Sequence, residues 1–302
     1  MTVRPAIVRC PAKVNLVLRV VGRRPDAYHE IDTIFQAIGL WDTLELCPSR
    51  DLVFVCDAPG VPRGEQNLVL QAARLLRERH GAGRGGGTLV LRKSIPVQAG
   101  LGGGSSDAAG ALVLCNAAWG LGLDRPALET VGRELGADVP YFLTGGTARG
   151  VGRGDCIAPL PFFGESSIVV GCPAFGLSTA EVFRRASARL TLPGNGVSVP
   201  VLSAHKWPEE NDFGFLANDL ESVVFQDWPE LRGFRDALLE AGARAALLSG
   251  SGSSVFGVFS GPEAAARAAG ALRPVAASWR VFTTRFVRDG VRWDVPRGHG
   301  EA

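Results

Sequence analysis

The sequence predicts an α/β (α+β) protein with two domains, and three observations support this prediction. The chain has 302 residues, and about 150 residues make a typical domain. Patterns typical of strands alternate with patterns typical of helices in both halves. The second half shows them in the order strand–helix–strand–strand–helix–strand, which is typical of a ferredoxin-like domain. A turn-rich segment, residues 145–155, separates the halves and predicts domains at 1–155 and 156–302.

The strands of the first half are predicted from alternating and apolar patterns. Residues 13–21 are predicted to form a strand, because apolar and mostly polar side chains alternate there. The two faces carry Val14, Leu16, Leu18 and Val20 on one side, and Lys13, Asn15, Val17 and Arg19 on the other. A turn follows at Pro25 and Asp26. Further strands are predicted at TIFQAIGL, TLELCP, LVFVCD and TLVLRKSIP.

The helices are predicted from apolar periodicity and from their end signals. A helix over 67–80 is expected to begin at an N-cap, Asn67. Residues 105–119 are apolar on nearly every side, which predicts a buried helix that Gly120 ends. A third helix, 124–135, has Asp124 as its predicted N-cap. In the second half, residues 192–215 are predicted to be irregular. The strands are SSIVVGCP, RAALLS, SVFGVFS and VFTTRFV, and the helices 179–190, 228–241 and 263–272.

Composition and charge narrow the class of protein. Lys and Arg total 32 and Asp and Glu total 30, a net charge of +2, so no nucleic-acid partner and no membrane partner are expected. The six cysteines form no C-x-x-C pair, which favours free thiols in a reducing cytoplasm. The histidines lack the spacing of a zinc site. The apolar stretch KVNLVLRVVGRR is interrupted by Asn15 and Arg19, which does not suit a signal peptide. We therefore expect a cytoplasmic protein.

The segment AGLGGGSSDAAG, residues 99–110, lies between a predicted strand and a predicted helix. Unpaired amides at a helix start, with glycines that admit a bulky anion, are typical of a phosphate-binding loop. The segment lacks the dinucleotide-binding fingerprint, because Ser105 stands where the last glycine is required. It also lacks the G-K-[ST] of a Walker loop. Taken alone, it is equally consistent with a flexible connector.

Two further segments favour the phosphate-binding interpretation. LSGSGSSVFG, residues 248–257, is a second Gly/Ser loop, and GADVPYFLTGG places Asp138 beyond a helix end. Asp138 can act as an N-cap, with Pro140 in the first turn, or as a carboxylate that accepts a proton from a substrate hydroxyl. Lys13 can supply the opposite charge, although most lysines at strand edges are simply solvated.

Three stretches together, PAKVNLVLRV, IPVQAGLGGGSSDAA and LSGSGSSVFGVF, resemble the three motifs of the GHMP kinases, the superfamily of the galactokinase, homoserine, mevalonate and phosphomevalonate kinases. GRRPDAYHEIDTIFQAI and GADVPYFLTGGTARG are similar to the branch that acts on a cytidyl substrate. The resemblance extends from residue 6 to residue 260. It implies the GHMP kinase two-domain fold, with an N-terminal ATP-binding domain, a C-terminal ferredoxin-like domain and a site in the cleft between them.

The resemblance also implies a reaction and its residues. The reaction is ATP-dependent phosphorylation of the 2-hydroxyl of 4-diphosphocytidyl-2-C-methyl-D-erythritol, in the non-mevalonate route to isoprenoids, with Mg²⁺. By matching motif positions, Lys13 and Asp138 are the implied catalytic pair, and Asn15 lies beside the substrate. The implied ATP-binding residues are Pro96, Val97, Gln98, Ala99, Gly100, Leu101, Gly102, Gly103, Gly104, Ser105 and Ser106. The implied cytidine pocket consists of Tyr28, His29, Thr179 and Phe183.

Other interpretations stay open at this point. Without the resemblance, Tyr28 and Phe183 are better interpreted as core aromatics, and His29 as a surface histidine with its hydrogen bonds satisfied. Ala27 and Gln98 replace glycines that are usual in the family, and GRGDCI replaces its G-x-G-E pattern. The metal ligands are undetermined, with Ser105, Ser106 and Asp138 as candidates. The rival functions are another GHMP kinase, such as a mevalonate or homoserine kinase, and a non-catalytic nucleotide-binding protein. The sequence does not indicate the oligomeric state.

Overall fold

The structure is a computed structural model that describes residues 6–26, 28–81, 85–189, 212–273 and 278–294. Its strands are β1 (Ala6–Arg23), β2 (His29–Cys47), β3 (Leu52–Val55), β4 (Gly87–Arg92), β5 (Thr147–Gly152), β6 (Cys156–Pro159), β7 (Ser167–Cys172), β8 (Ala217–Asn218), β9 (Ala245–Leu248), β10 (Val255–Phe259), β11 (Arg280–Arg285) and β12 (Arg292–Trp293). Its helices are α1 (Leu68–His80), α2 (Gly103–Ala118), α3 (Arg125–Leu135), α4 (Val139–Thr144), α5 (Thr179–Arg189), α6 (Glu221–Asp227), α7 (Pro229–Glu240) and α8 (Pro262–Leu272). None of these helices is long and apolar enough to cross a membrane.

The larger sheet is built on two long antiparallel strands, β1 and β2. Its strand order is β12–β1–β2–β4–β3, and β5 pairs with β2, β6 with β5 and β8 with β1. The predicted strand at 13–21 is therefore the middle of a longer strand. TIFQAIGL and TLELCP, predicted as separate strands, are parts of the single strand β2. The short strands β8 and β12 come late in the sequence, yet both pair with β1.

The predicted turn-rich segment 145–155 is largely a strand, so that expectation was wrong. Residues of β5 pair with β2 from Ile31 to Gln36. Gly150 serves close packing in this strand, because a Cβ there would lie 2.6 Å from a ring carbon of Phe35. The predicted domain border at 155/156 falls at the turn between β5 and β6, and it remains a prediction.

The smaller sheet has the strand order β11–β7–β10–β9, and each neighbouring pair is antiparallel. In chain order these strands are fourth, first, third and second, so the predicted ferredoxin-like arrangement is confirmed. Helix α6 and strand β8 were not predicted. The segment predicted to be irregular lies mostly outside the described residues.

Several predicted helix ends are confirmed. The Asn67 Oδ1 atom accepts a hydrogen bond from the backbone N–H of Val69 at 2.9 Å, and Asp124 accepts one from Ala127 at 3.0 Å. Helix α2 is buried along most of its length and begins at Gly103, two residues before the predicted start at Ser105. Gly120 follows its end with φ of 63°, as a C-terminal glycine does.

The two sheets pack face to face, and this packing directs the side chains of β1. Val14 and Leu16 enter the core shared by the sheets, together with Val170 and Phe256 of the smaller sheet. The opposite face of β1 is also covered, so that Lys13 is only 4% exposed. The interpretation of this residue as a solvated edge lysine was therefore wrong.

Candidate active site

A cleft of about 1380 Å³ lies on this covered side of β1. Its walls come from β1, the turn before β2, the start of α1, the glycine-rich loop before α2, the start of α4, helix α5 and the second Gly/Ser loop. A single small-molecule site usually occupies about 300–1,000 Å³. The cleft therefore has room for two substrates side by side.

Lys13 is held at the bottom of this cleft by its neighbours. Its Nζ donates a hydrogen bond to Asn15 Oδ1 at 2.8 Å, and Asn15 Nδ2 donates in turn to Thr33 Oγ1 at 2.7 Å. The ammonium group lies 5.7 Å from the centre of the Phe35 ring, within the range of a cation–π interaction. Because the amine is buried and bonded, it has one well-defined position in the cleft.

Asp138 faces Lys13 across the cleft. Its Oδ2 atom lies 3.6 Å from Lys13 Nζ, and its side chain is 32% exposed. Asp138 occupies the N-cap position of α4, yet within the described residues its carboxylate makes no capping bond. The capping interpretation of this side chain was therefore wrong, and its carboxylate is available for another role.

The glycine-rich loop is fixed between β1 and the second Gly/Ser loop. The backbone N–H of Lys13 donates to Leu101 O at 3.0 Å, and Ser254 N donates to Ala99 O at 3.0 Å. Ser249 Oγ donates to Gly100 O at 3.1 Å. Gly100 and Gly102 have φ of 75° and 71°, a region that glycine adopts without strain. These contacts bring the three motif segments together at Lys13.

Most of the predicted ATP-binding residues line the cleft, and two do not present their side chains to it. Leu101 packs in the core between the sheets, and Ser106 is fully buried. The Ser106 hydroxyl has no hydrogen-bond partner among the described residues. Ser105 lines the cleft beside the first turn of α2, where backbone N–H groups lack helical partners. This helix start can therefore bind an anion.

The four residues predicted to bind cytidine lie together on one wall of the cleft. The rings of His29 and Phe183 are 4.9 Å apart, and His29 Nε2 lies 2.5 Å from Ser187 Oγ. Thr179 Oγ1 shares a 3.0 Å hydrogen bond with Ser251 Oγ. Tyr28 is 59% exposed, so its interpretation as a core aromatic was wrong. Burial and the charge of the nearby Arg23 lower the pKa of His29, which favours its neutral form at pH 7.

Comparisons with known proteins identify the family. The sequence models described as "GHMP kinases N terminal domain" and "GHMP kinases C terminal" match residues 67–146 and 201–275. A 4-diphosphocytidyl-2-C-methyl-D-erythritol kinase of Pelotomaculum thermopropionicum is 40% identical, over 87% of this chain and 92% of its own length. One of Solibacter usitatus is 42% identical, over 85% of this chain and 82% of its own. The chain belongs to the 4-diphosphocytidyl-2-C-methyl-D-erythritol kinase family of GHMP kinases.

Solved structures agree with this assignment. A crystal structure of 4-(cytidine 5'-diphospho)-2C-methyl-D-erythritol kinase matches with a TM-score of 0.74 and 36% identity, over 93% of this chain and 98% of that one. Homoserine kinase from Cytophaga hutchinsonii matches with a TM-score of 0.73 at 18% identity, over 97% of this chain and 98% of that one. The second likeness concerns the fold alone. The predicted GHMP kinase fold is confirmed, and this GHMP kinase is a small-molecule kinase.

A buried cluster of charged residues beneath the glycine-rich loop of this GHMP kinase was not predicted from the sequence. Lys93 Nζ bonds to Asp42 and donates to Asp107 Oδ2 at 2.7 Å. Asp42 Oδ1 accepts from the backbone N–H groups of Ser94 and Ile95, at 2.6 and 2.9 Å. The cluster joins β2, the end of β4 and α2, and so holds both ends of the loop.

We expect this cluster to make the stability of the kinase depend on pH. Burial is the main effect that raises the pKa of Asp107 to about 8. The positive charge of Lys93 lowers this pKa, and the negative charge of Asp42 raises it further. The pKa of an unfolded aspartate is about 3.9, so the stabilising contribution of the neutral carboxyl is present at low pH and is lost as the pH rises toward 8. Asp107→Asn stays neutral. Its melting temperature, relative to the unchanged protein, is therefore expected to rise from pH 5 to pH 8 and then level off.

Thermal melts across this pH range test that expectation. Asp124→Asn is the control, because this residue is an exposed N-cap and asparagine caps equally well. The prediction would be contradicted if the melting temperatures of Asp107→Asn and the unchanged protein differed by the same amount at every pH from 5 to 8.

This chain departs from the family pattern at residues 27, 98 and 155. Local contacts explain the departures at residues 98 and 155, while Ala27 lies outside the described residues. Asp155 Oδ2 accepts from Arg153 Nη2 at 2.7 Å, and Asp155 Oδ1 accepts from the backbone N–H of Arg153 at 3.2 Å. The Arg153 guanidinium lies 5.5 Å from the centre of the Tyr28 ring. The aspartate therefore closes the turn after β5 and holds an unpredicted arginine against Tyr28.

Gln98 is the one described non-glycine residue with positive φ, at 55°. It adopts the left-handed conformation that glycine takes readily, so the loop follows a path that a family glycine can also take. A β-branched residue is strained in this conformation. Gln98→Val is therefore expected to lower the free energy of unfolding by about 1–2 kcal/mol. Gln98→Gly is expected to change it by less than about 1 kcal/mol, because relieved strain offsets added chain entropy.

Urea denaturation of the two Gln98 variants measures these differences. Equal stability of the valine and glycine variants would show that the left-handed backbone conformation at this position is not maintained.

Proposed function

We propose that this chain transfers the γ-phosphate of ATP to the 2-hydroxyl of 4-diphosphocytidyl-2-C-methyl-D-erythritol, in the cytoplasm, as a step of the non-mevalonate route to isoprenoids. The observation that carries the proposal is the 3.6 Å approach of Lys13 Nζ and Asp138 Oδ2 beside two glycine loops. The relatives that are named as kinases of this substrate match most of the chain. The net charge of +2 supports a function without nucleic acid.

In the proposed mechanism the transfer is direct and in line, with no covalent enzyme intermediate. Asp138 orients the substrate hydroxyl and accepts its proton as the hydroxyl oxygen bonds to the γ-phosphorus. The bond from that phosphorus to the β–γ bridging oxygen breaks at the same time, and ADP is the leaving group. Lys13, which Asn15 holds in place, stabilises the negative charge that develops on the reacting oxygens. The backbone N–H groups of the loop and of the α2 start surround the triphosphate.

The oxygen atoms that line the cleft fit Mg²⁺. Ser105 offers a hydroxyl and Asp138 a carboxylate, and Mg²⁺ prefers such ligands. Among the described residues no group of three or more His, Cys, Asp or Glu side chains could hold the ion by itself, so phosphate oxygens would complete its shell. When bound, Mg²⁺ would neutralise charge on the transferred phosphoryl group.

The cytidyl group is assigned to the wall formed by Tyr28, His29, Thr179 and Phe183, where aromatic faces can pack against a base. We also propose the division into domains at 1–155 and 156–302. The two family sequence models, which match residues 67–146 and 201–275, lie on either side of that border and support it.

An ADP-release assay with ATP and three separate acceptors tests the proposed function. ADP is expected with 4-diphosphocytidyl-2-C-methyl-D-erythritol and not with mevalonate or homoserine. ADP release with one of the other acceptors instead would assign a different GHMP kinase activity. ATP binding without ADP release for any acceptor would assign a non-catalytic nucleotide-binding protein.

A further inference from the structure

The part of the second Gly/Ser loop that precedes β10, residues 248–254, forms the wall of the cleft that touches Lys13. A Cβ at Gly250 would lie 3.2 Å from Lys13 Nζ and 3.3 Å from Asn15 Oδ1. The backbone of Gly250 therefore packs directly on the pair of side chains that positions the amine. Any shift of this loop changes the space in which the amine lies.

Asn218 holds that loop through its side-chain amide. Its Nδ2 donates to Leu248 O at 3.0 Å and to Gly250 O at 2.8 Å, while its Oδ1 accepts from Leu220 N at 3.0 Å. Both of its N–H groups are used, and the residue is 7% exposed. Because water has little access, these bonds have few competitors and set the position of the Gly250 carbonyl.

The segment that carries Asn218 is also tied to the strand that carries Lys13. Strand β8 pairs in parallel with β1 at Val17 and Leu18. The next residue, Asp219, donates its N–H to Leu18 O at 2.9 Å, and its carboxylate accepts from Val20 N at 2.9 Å. One short segment therefore fixes the loop and the catalytic strand relative to each other.

We infer that Asn218 is a positioning residue for phosphoryl transfer, because its amide fixes the Gly250 backbone against the Lys13–Asn15 pair. The inference rests on the proposed role of Lys13. Asn218 is not one of the described residues that line the cleft. It therefore acts through Gly250 and not by touching the substrate.

Asn218→Asp tests this inference, because it keeps the shape of the side chain and replaces the two donated bonds with repulsion between oxygens. Misplacement of reacting groups by about 1 Å can lower a rate about 100-fold. We expect kcat to fall at least about tenfold, with KM values for both substrates changed less than about threefold. Asn218→Ser is the second variant, should Asn218→Asp not fold.

Asn116 is a matched control. Its Nδ2 donates to Leu123 O at 2.9 Å and its Oδ1 accepts from Leu123 N at 3.0 Å, so it clamps a loop in the same way after α2. Asn116→Asp is expected to lose stability without a change in kcat. An unchanged kcat in the Asn218 variants, or an equal fall in Asn116→Asp, would overturn the inference.

A second measurement separates this inference from the proposed substrate. The rate at which an amine-reactive reagent labels Lys13, followed by mass spectrometry, needs no acceptor. We expect this rate to rise in the folded Asn218 variants and not in Asn116→Asp, because Gly250 no longer covers the amine. Unchanged labelling would overturn the inference even if the unmodified protein proves to use another acceptor or none.

Discussion

Asp138→Asn is expected to lower kcat by about two to four orders of magnitude and to leave the KM for ATP nearly unchanged. The amide has nearly the shape of the carboxylate, but it cannot accept the proton of the substrate hydroxyl. In the described structure the carboxylate makes no capping bond with α4, so the substitution is expected to cost little stability. Steady-state kinetics, with ATP binding measured by calorimetry, separate the chemical step from binding.

Asp124→Asn is the control for this result, because Asp124 does cap its helix, with a 3.0 Å bond from Ala127 N. It is expected to keep full activity. Turnover at the unchanged rate in Asp138→Asn would refute the role of Asp138 as proton acceptor and, with it, the proposed mechanism.

Gly100→Ala is expected to destabilise the protein by about 2–4 kcal/mol and to raise the KM for ATP more than about tenfold. Its φ is 75°, and a Cβ would clash with Ser249 O and lie 2.6 Å from Gly252 O. Both atoms belong to the backbone of the second Gly/Ser loop, so no side chain can rotate away. The two loops must separate, so the glycine-rich loop loses the path along which it is proposed to bind the triphosphate. Urea denaturation and ATP titration measure the two effects.

Gly104→Ala separates binding from folding at the same loop. A Cβ there would lie 3.9 Å from Leu68 Cδ1, so the fold tolerates it, yet Gly104 faces the cleft. The KM for ATP is expected to rise with the melting temperature unchanged or higher. Gly270→Ala, in α8 with no described atom within 4 Å of the added carbon, is the control. ATP affinity unaltered in Gly104→Ala would contradict the placement of the triphosphate against this loop.

Features decided by neighbours in the chain were predictable from sequence. Asn67 and Asp124 cap their helices as predicted, because a cap bonds to a backbone group two or three residues away. The glycine-rich composition of 145–155 led to a wrong prediction of turns. Gly150 instead lets Phe35, from a strand distant in sequence, approach closely. Composition alone does not distinguish a glycine that turns from a glycine that lets another chain segment approach.

The candidate site was predictable in its residue types and less so in its environment. Alternation correctly placed Lys13 and Asn15 on one face of a strand. The same pattern did not predict that these two side chains are buried, because the loop that covers them lies far along the chain. Asp42, Lys93 and Asn218 were missed for the same reason, since each acts through a partner remote in sequence. Only the family motifs carried information about such distant pairings.

The pairing of β1 with β8 and β12 has a consequence for biosynthesis. Strand β1 leaves the ribosome well before partners such as Trp293, opposite Val8, are made. Until then its backbone edge is open to association with other nascent chains. Premature termination before β12 would therefore release a polypeptide prone to aggregate, and not a smaller working enzyme.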